Sequence, residues 1–367
     1  MIPISVCMIA KNEEKNIGEC LSRLSKYPFE IVVVDTGSTD RTKEIAACYT
    51  DKLYDFVWCD DFSAARNFSL SKAENDWVLI VDCDEFLEEI DLDAIYRLME
   101  DYPAAVGQIF RHSLCKNNDG QNILTDLVER LFDKRLYHYE GIIHEQVVPL
   151  DLPSPSSPYT LSVFEIPMEF LHIGYQGSVS EMQKKADRDI TLLLSELERT
   201  PDDPYIYYQL GEAYSLKGDY ENAFQILDKG LYLEVDETLP YVKMMITSYG
   251  YSMIETGRYE QALGLEGVYD TFKYYADFVC MMGDVYLKLN KNQQALDQFL
   301  FALSLTDYSV EGANSYIPLH NIGCIYEAYG YYKEALDAYG KAADLGYAHS
   351  AERRKALEDR LKHNQGN

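Results

Sequence analysis

The spacing of apolar residues changes near residue 178, and this change limits the fold more than any other feature of the 367-residue chain. Before it, short β-branched runs alternate with segments of helical spacing. The runs are residues 4–9, 31–34, 53–57 and 77–81, and the helical segments are 14–24, 40–48 and 63–72. This alternation predicts a mostly parallel sheet with crossover helices, in which ligands bind at the carboxyl ends of the strands.

After residue 178 the β-branched runs disappear and a repeat begins. A small residue followed five positions later by alanine occurs four times, at Gly218/Ala223, Gly257/Ala262, Asn290/Ala295 and Gly330/Ala335. The alanines are 39, 33 and 40 residues apart, close to the ~34-residue period of tetratricopeptide helix pairs. Residues 205–345 therefore resemble a tetratricopeptide array of about four helix pairs, with an ordinary helical bundle as the alternative. Residues 180–199 predict a connecting helix.

Charge and composition narrow the class of function. The chain has 33 Lys and Arg against 61 Asp and Glu, a net charge of −28, and such a surface repels nucleic acid and anionic lipid. An anionic substrate then needs a metal or a few well-placed cations. No stretch approaches the ~18 apolar residues of a membrane span, and residues 1–10 predict a first strand rather than a signal peptide. The expected location is the cytoplasm.

The eight cysteines form no CxxC pair and lie mostly in apolar runs. This spacing is unlike that of a disulfide frame or a zinc site. The sequence predicts reduced core residues.

Three polar segments follow strand candidates. Residues 5–14 end a strand and start a helix, whose free backbone donors suit an anionic or polar ligand, although any capped helix has the same pattern. Asp35 is either a turn carboxylate before Gly37 or an acceptor for a base imide or ribose hydroxyls. Asp82 and Asp84 are hard oxygen ligands suited to Mg²⁺ or Mn²⁺, although Asp-x-Asp is also common in solvated turns.

The order and spacing of residues 35–40, 60–67 and 82–85 resemble family 2 glycosyltransferases of the GT-A fold. The resemblance covers residues 4–175. With its tetratricopeptide tail, the chain is similar to the bacterial subgroup that includes the bacteriocin S-glycosyltransferases. The resemblance implies an α/β GT-A catalytic domain at 1–177, a connecting helix or linker at 178–204 and an all-α repeat domain at 205–367.

The resemblance also implies site residues. The nucleotide and donor sugar would be bound by Ala10, Asn12, Glu13, Asp35, Arg66, Asp82, Cys83 and His144. Mn²⁺ or Mg²⁺ would be held by Asp82, Asp84 and His172, and Glu145 would be the catalytic base. His144 could instead orient Glu145. Whether His144 or His172 binds the metal is left open, and either histidine could be a hydrogen-bonded core residue.

The expected reaction is metal-dependent, inverting transfer from a nucleoside diphosphate sugar, with UDP as the expected nucleotide, to a peptide or protein acceptor. The helical repeats would select the acceptor, and their many tyrosines suit a binding or homodimer surface. A non-catalytic scaffold with a degenerate transferase fold and a transferase acting on a cell-surface glycan remain alternatives. The sequence leaves the sugar open.

Overall fold

The computed structural model describes residues 3–117, 120–151, 161–174 and 179–365. The chain divides into two compact units, residues 1–182 and 183–367. In the described part of the chain, no helix is both long and apolar enough to cross a membrane. The domain boundaries expected at residues 177 and 204 stay a prediction.

The first unit contains a sheet with flanking helices. Its strands are β1 (Ile4–Ala10), β2 (Glu30–Asp35), β3 (Leu53–Asp55), β4 (Trp77–Ile80), β5 (Glu85–Ile90), β6 (Val106–Asn117), β7 (Gly120–Asp133), β8 (Tyr137–Glu140), β9 (Gln146–Pro149) and β10 (Val163–His172). Its helices are α1 (Ile17–Leu24), α2 (Thr42–Ala46), α3 (Phe62–Lys72) and α4 (Leu92–Asp101). All seven elements expected between residues 4 and 81 are present. Helix α1 begins three residues later than expected because residues 13–16 form a turn, in which the Asn16 amide donates to the Glu13 carbonyl at 3.0 Å.

The main sheet has the strand order β3-β2-β1-β4-β7-β6-β10-β5. The strands β3, β2, β1 and β4 are parallel to their neighbours, as the alternating sequence predicts. Strand β7 then pairs antiparallel with both β4 and β6, β10 runs parallel to β6, and β5 runs antiparallel to β10. The last of these pairings sets His172 opposite Glu85, so the end of β10 lies beside the turn that follows β4.

Both faces of the sheet are buried, which explains why its central strands are continuous apolar runs. On one face Val6 and Leu79 pack with Leu21 of α1. On the other face Val32 and Ile80 pack with Leu70 of α3. This double cover leaves the carboxyl ends of the strands as the open edge of the sheet.

The described cysteines with placed side chains are free thiols, as expected for a reduced protein. Cys7, Cys20, Cys83 and Cys280 are buried. The core assignment is wrong for Cys48 and Cys59, which are exposed. Cys59 belongs to the loop after β3, outside the strands and helices that form the core.

The rest of the described chain is helical. Its helices are α5 (Val179–Arg199), α6 (Pro204–Lys217), α7 (Tyr220–Leu231), α8 (Pro240–Glu255), α9 (Tyr259–Leu263), α10 (Tyr269–Phe272), α11 (Ala276–Lys288), α12 (Asn292–Ala302), α13 (Tyr316–Ala328), α14 (Tyr332–Asp344) and α15 (Ala348–Gln365), with a 3₁₀ turn at Gly264–Val268. Four helix pairs follow one another between α6 and α14, as the repeat predicts. Helix α15 follows the last pair and packs Leu357 against Ala335 and Tyr339.

The repeat positions have direct structural roles. The four turn residues have positive φ angles, 79° at Gly218, 75° at Gly257, 58° at Asn290 and 79° at Gly330, and the four alanines after them are fully buried. A second set of glycines lies within the first helix of a pair. A Cβ at Gly211 would lie 2.4 Å from Leu227, and one at Gly283 would lie 2.7 Å from Phe299. Glycine is needed there because the paired helices approach each other closely.

Candidate active site

The first three predicted segments meet at one edge of the sheet. Ala10 and Asp35, the last residues of β1 and β2, are paired in register. On the other side of β1, the Val81 amide donates to the Cys7 carbonyl at 3.2 Å, which carries the chain past the end of β4 toward Asp82. The parallel pairing of β2, β1 and β4 therefore brings together polar residues that are far apart in sequence.

The Asp35 carboxylate has two different oxygens. Its Oδ2 accepts hydrogen bonds from the amides of Gly37, at 3.1 Å, and Ser38, at 3.0 Å. Its Oδ1 is buried and has no hydrogen-bond partner among the described residues, although the residue is only 3% exposed. One oxygen therefore stabilises the turn, and the other lacks a donor among the described residues.

Asn12 and Glu13 join the loop after β1 to the loop after β2. The Asn12 Oδ1 accepts from the Thr39 amide at 2.8 Å, and the Glu13 amide donates to Thr42 Oγ1 at 2.7 Å. Asn12 makes these contacts with a φ angle of 57°. The Ala10 carbonyl accepts from the Thr36 amide at 2.9 Å in the same way. These bonds shape the edge of the sheet around Asp35.

The Glu13 carboxyl lies in a negative environment. Burial raises its pKa, and the nearby charges of Asp84, Asp40 and Asp82 raise it further, against a hydrogen bond from Asn16. Carboxylates that repel one another at the mouth of a sheet are stabilised by a cation.

Asp82 is held by two buried arginines. Arg66 donates from Nη2 to Asp82 Oδ1 at 2.9 Å, and Arg130 of β7 donates from Nη2 to Asp82 Oδ2 at 2.7 Å. Arg130 also bonds the buried Glu85 Oε1 at 2.7 Å. Burial opposes the charge of Asp82, but the two arginines prevail and hold the pKa of its carboxyl far below its usual range.

The same cluster contains donors that lack acceptors. Arg66 Nη1, Arg130 Nε and the Tyr139 hydroxyl are buried without a hydrogen-bond partner in the described chain. The Arg66 guanidinium lies 5.6 Å from the centre of the Tyr139 ring, and burial raises the pKa of Tyr139 to about 12. Buried unpaired donors are rare and costly in native proteins. Their grouping fits an anionic or hydroxyl-rich ligand.

Asp84 faces His172 rather than Asp82's arginines. Its Oδ2 lies 3.5 Å from His172 Nε2, and the other ring nitrogen, Nδ1, lies 3.0 Å from the Ser113 hydroxyl. A Cβ at Gly174 would come within 2.5 Å of both Asp84 Oδ2 and His172 Nε2. The missing side chain thus leaves a space bordered by one carboxylate oxygen and one imidazole nitrogen.

The expected metal ligands are not gathered into one group. The described residues contain no group of three or more His, Cys, Asp or Glu placed to hold a metal, and each carboxylate oxygen of Asp82 accepts from an arginine. The assignment of Asp82, Asp84 and His172 as metal ligands stays a prediction. The pair of Asp84 and His172 fits a divalent ion, since two ligands that each lie about 2.1 Å from one ion are separated by roughly 3 Å.

Glu145 lies in the loop between β8 and β9. Its Oε1 accepts a short hydrogen bond from Arg66 Nε, and its side chain is largely buried. No described residue bonds Oε2. The Phe62 amide donates to the Ile142 carbonyl at 2.9 Å, which fixes this loop against the start of α3. His144 is exposed with a φ angle of 52°.

Cys83 cannot contribute its side chain to a donor site. The thiol is buried, with Sγ 3.6 Å from the Ile9 carbonyl oxygen. Burial raises the pKa of this thiol well above its usual value. Any contact of Cys83 with a ligand must come from its backbone.

Sequence reasoning did not find Arg130, Tyr139, Glu85 or Ser113. Arg130 and Ser113 lie on β7 and β6, whose pairing is not marked by a motif. Only Glu85 had a signal, as the residue that follows Asp82-Cys83-Asp84.

A sheet whose parallel half ends in an acidic pair and buried arginines is compatible with a glycosyltransferase type of domain, here in a chain that also has helical repeats. Comparison with known families agrees. Residues 5–160 match the family described as "Glycosyl transferase family 2", and residues 192–225 and 318–345 match "Tetratricopeptide repeat" families. The chain therefore contains a family 2 glycosyltransferase domain and tetratricopeptide repeats.

Two curated relatives match over 235 residues. A "TPR repeat-containing protein" of Synechococcus elongatus is 30% identical, with 63% of this chain and 57% of the relative covered. The "SPbeta prophage-derived glycosyltransferase SunS" of Bacillus subtilis is 26% identical, with 62% of this chain and 53% of the relative covered. The chain thus spans just over half the length of these relatives. The crystal structure of S. aureus TarS matches 69% of this chain and 53% of its own at 16% identity, with a TM-score of 0.39.

Proposed function

We propose that the protein transfers a sugar from UDP-sugar to a peptide or protein acceptor with the help of a divalent metal. The observation that carries this proposal is the space between Asp84 and His172 at the same sheet edge as the unpaired donors of Arg66 and Arg130. Glycosyl transfer requires a sugar donor and an acceptor, and tetratricopeptide repeats favour interaction with another protein. A cytoplasmic location stays a prediction from the sequence.

Asp35 supports uridine as the nucleoside. The N3 atom of uracil carries a hydrogen and donates, whereas the N3 atom of cytosine accepts. The unpaired Oδ1 of Asp35 is an acceptor in a buried site, where a missing partner costs about 1–3 kcal/mol. A uracil imide, or a ribose hydroxyl, removes that cost.

Asp84 and His172 would hold the metal. A carboxylate oxygen with an imidazole nitrogen suits Mn²⁺ better than Mg²⁺, which prefers oxygen ligands alone. The Ser113 hydroxyl fixes the orientation of the His172 ring through Nδ1. When bound, such an ion supplies positive charge that neutralises the leaving diphosphate.

The protein's own groups would complete the site. Asp82 and Glu145 hold Arg66 in place, so its free Nη1 is fixed in direction before the donor binds. Glu145 keeps Oε2 for the acceptor proton while Oε1 stays bonded to Arg66. A base on the side opposite the leaving diphosphate gives a single displacement with inversion. Asp82 would orient the two arginines, and its role as a metal ligand stays a prediction.

The helical repeats would select the acceptor. The first helix of each of the four pairs contains a glycine at the close approach to a neighbouring helix. The residues that directly follow these glycines are Glu212, Tyr251, Asp284 and Cys324. The first three of these side chains form polar contacts between successive repeats, because Ser248 donates to Glu212 and Tyr251 donates to Asp284. A stripe of hydrogen-bonding groups suits an extended peptide. A homodimer through the repeats stays a prediction.

The alternative of an inactive scaffold gains no support from the site. A scaffold has no use for three unpaired buried donors, each of which lowers stability. A cell-surface glycan remains an alternative acceptor.

The test is a screen of UDP-, GDP- and TDP-sugars with and without Mn²⁺. Donor hydrolysis without acceptor and transfer to added peptides are both measured. We expect Mn²⁺-dependent release of UDP from one UDP-sugar, and chelation should abolish it. A protein that binds none of these donors in Mn²⁺ contradicts the proposal.

Asp284 gives a prediction about the repeats. Burial raises the pKa of its carboxyl to about 7, against the nearby Lys288 and a hydrogen bond from Tyr251. Below pH 3.8, the ordinary pKa of an Asp in the unfolded chain, the Asp284 carboxyl is protonated in both the folded and the unfolded state. Between about pH 4 and 7 only the folded state keeps the proton. The free energy of unfolding therefore falls as pH rises through this range. Asp284→Asn should therefore raise Tm at pH 8, and the gain should shrink toward zero at pH 4. Thermal melts across this range check the prediction, with the exposed Asp270→Asn as control.

A further inference from the structure

The loop after β3 carries an aromatic ring near the carboxyl end of β2, the strand that ends in Asp35. Strand β3 ends at Asp55, which is paired in register with Asp35, and the Phe56 amide donates to the Asp35 carbonyl at 2.8 Å. Trp58 follows two residues later. Its ring is half-buried, while its neighbour Val57 is 90% exposed.

A contact from the other side of β2 shows which way this ring faces. Lys11 directly follows β1, and its Nζ lies 5.7 Å from the centre of the Trp58 ring. Strands β1 and β3 flank β2 in the sheet. The Lys11–Trp58 contact therefore spans the end of β2, where Asp35 lies, and one face of the indole is turned toward that end.

Trp58 is held in position by its own loop. The indole Nε1 donates to Asp60 Oδ1 at 2.7 Å, and the Phe62 ring packs against the indole in a T-shaped pair with a centroid distance of 4.8 Å and an interplanar angle of 71°. Asp60 adopts a φ angle of 57°, a conformation that is uncommon for residues other than glycine. The ring is thus oriented before any ligand binds, with its indole N–H already satisfied.

We infer that Trp58 is the stacking platform for the nucleobase of the donor, a specificity residue of the proposed transferase site. The inference rests on the proposed function. A base whose imide donates to Asp35 Oδ1 lies over the end of β2, and a flat ring at that place supplies the π-face on which the base stacks. The Lys11 ammonium covers this face in the structure and moves aside for the base.

Stacking and hydrogen bonding then have separate effects. Stacking is tolerant of base identity, because every base has a π-face, so Trp58 should contribute to both UDP and CDP binding. Asp35 discriminates between them through the imide hydrogen. Trp58→Ala should therefore lower both affinities by a similar factor, and Asp35→Asn should change their ratio.

The chain carries its own spectroscopic probe. It has two tryptophans, and the other, Trp77, is 6% exposed in β4. We expect UDP, added with Mn²⁺ to the full chain, to quench the emission of Trp58 because the base stacks on the indole. In Trp58→Phe, which retains only Trp77, UDP should still bind by calorimetry but leave the emission unchanged.

The affinity test uses UDP, CDP and inorganic pyrophosphate, each with Mn²⁺. Trp58→Ala should bind UDP and CDP roughly 10- to 100-fold more weakly, the size of a lost base–aromatic stack, and bind pyrophosphate as the wild type does. Trp58→Phe should lie between the two, and Val57→Ala in the same loop is the matched control. An equal loss of pyrophosphate binding in Trp58→Ala and Trp58→Phe indicates a structural role and overturns the inference.

The outcomes also separate this inference from the proposed function. The inference about Trp58 fails, and the proposed function stands, under one set of results. In that case the wild type turns over UDP-sugar, UDP does not quench the emission of Trp58, and Trp58→Ala binds UDP within threefold of the wild type. If the wild type binds no nucleotide at all, both fail.

Discussion

Replacing Asp84 by asparagine should abolish Mn²⁺-dependent turnover of UDP-sugar, with a loss of at least about 100-fold, and leave the melting temperature close to that of the wild type. Asparagine keeps the shape but removes the negative charge that faces His172 Nε2 at 3.5 Å. The Asp84 carbonyl, which accepts from the Ile173 amide at 3.1 Å, is unaffected. The change thus acts on the metal and not on the fold.

The measurement combines Mn²⁺ titration by calorimetry with turnover and a melting curve. Glu89→Gln on β5 is the matched control, because it also neutralises a carboxylate but lies at the end of β5 opposite to Glu85 and Asp84. Gly174→Ala is a second variant that disturbs the same site by steric filling and not by loss of charge, since its new methyl group would fill the space between Asp84 and His172. It should weaken Mn²⁺ binding as well. Full activity in Asp84→Asn rules out this residue as a metal ligand.

The parallel half of the sheet and its polar edge could be predicted because the signals are local. Each apolar run ends in a turn residue. Parallel pairing of these runs then places Asp35 and Asp82 at the carboxyl edge of the sheet, independently of how the remaining strands pair. The helical repeats were predictable for the same reason. The offset from Gly218 to Ala223 reflects one turn and one buried contact, and both lie within a few residues of each other in the chain.

The partners of Asp82 could not be predicted because they depend on non-local pairing. Arg130 reaches Asp82 only because β7 inserts antiparallel beside β4, and no motif marks that insertion. The spacing of Asp82 and Asp84 suggests a common direction for their side chains. In the structure a turn intervenes, because the Glu85 amide donates to the Asp82 carbonyl at 3.1 Å and Glu85 Oε2 accepts from the Asp82 amide at 3.0 Å. The two carboxylates consequently have different partners.

His172 shows how a resemblance and a fold can support each other. It lies 88 residues after Asp84, and spacing alone cannot bring the two together. The antiparallel pairing of β10 with β5 sets His172 opposite Glu85, and the side chain then faces Asp84. The resemblance named the residue, and the strand pairing supplies the physical reason for its position.

Glu145→Gln should lower transfer to a hydroxyl acceptor by about 10²- to 10⁴-fold, the range expected when a general base is lost, with little change in UDP affinity. The glutamine oxygen can still accept from Arg66 Nε, so Arg66 keeps its place beside Asp82. What disappears is the oxygen that could take a proton. Turnover and UDP binding are measured separately, with Glu140→Gln on the neighbouring strand β8 as the control.

The size of this loss also reports on the acceptor. A hydroxyl must give up its proton during attack, whereas a cysteine thiol, with an ordinary pKa of about 8.5, is already partly ionised near neutral pH. The same variant should therefore lose much less activity toward a thiol acceptor than toward a serine or threonine hydroxyl. Assays with peptides that differ only in Cys against Ser at the acceptor position, repeated at pH 7 and pH 9, make the comparison. If Glu145→Gln loses UDP affinity in parallel with turnover for both peptides, Glu145 serves to hold Arg66 for donor binding and is not the base.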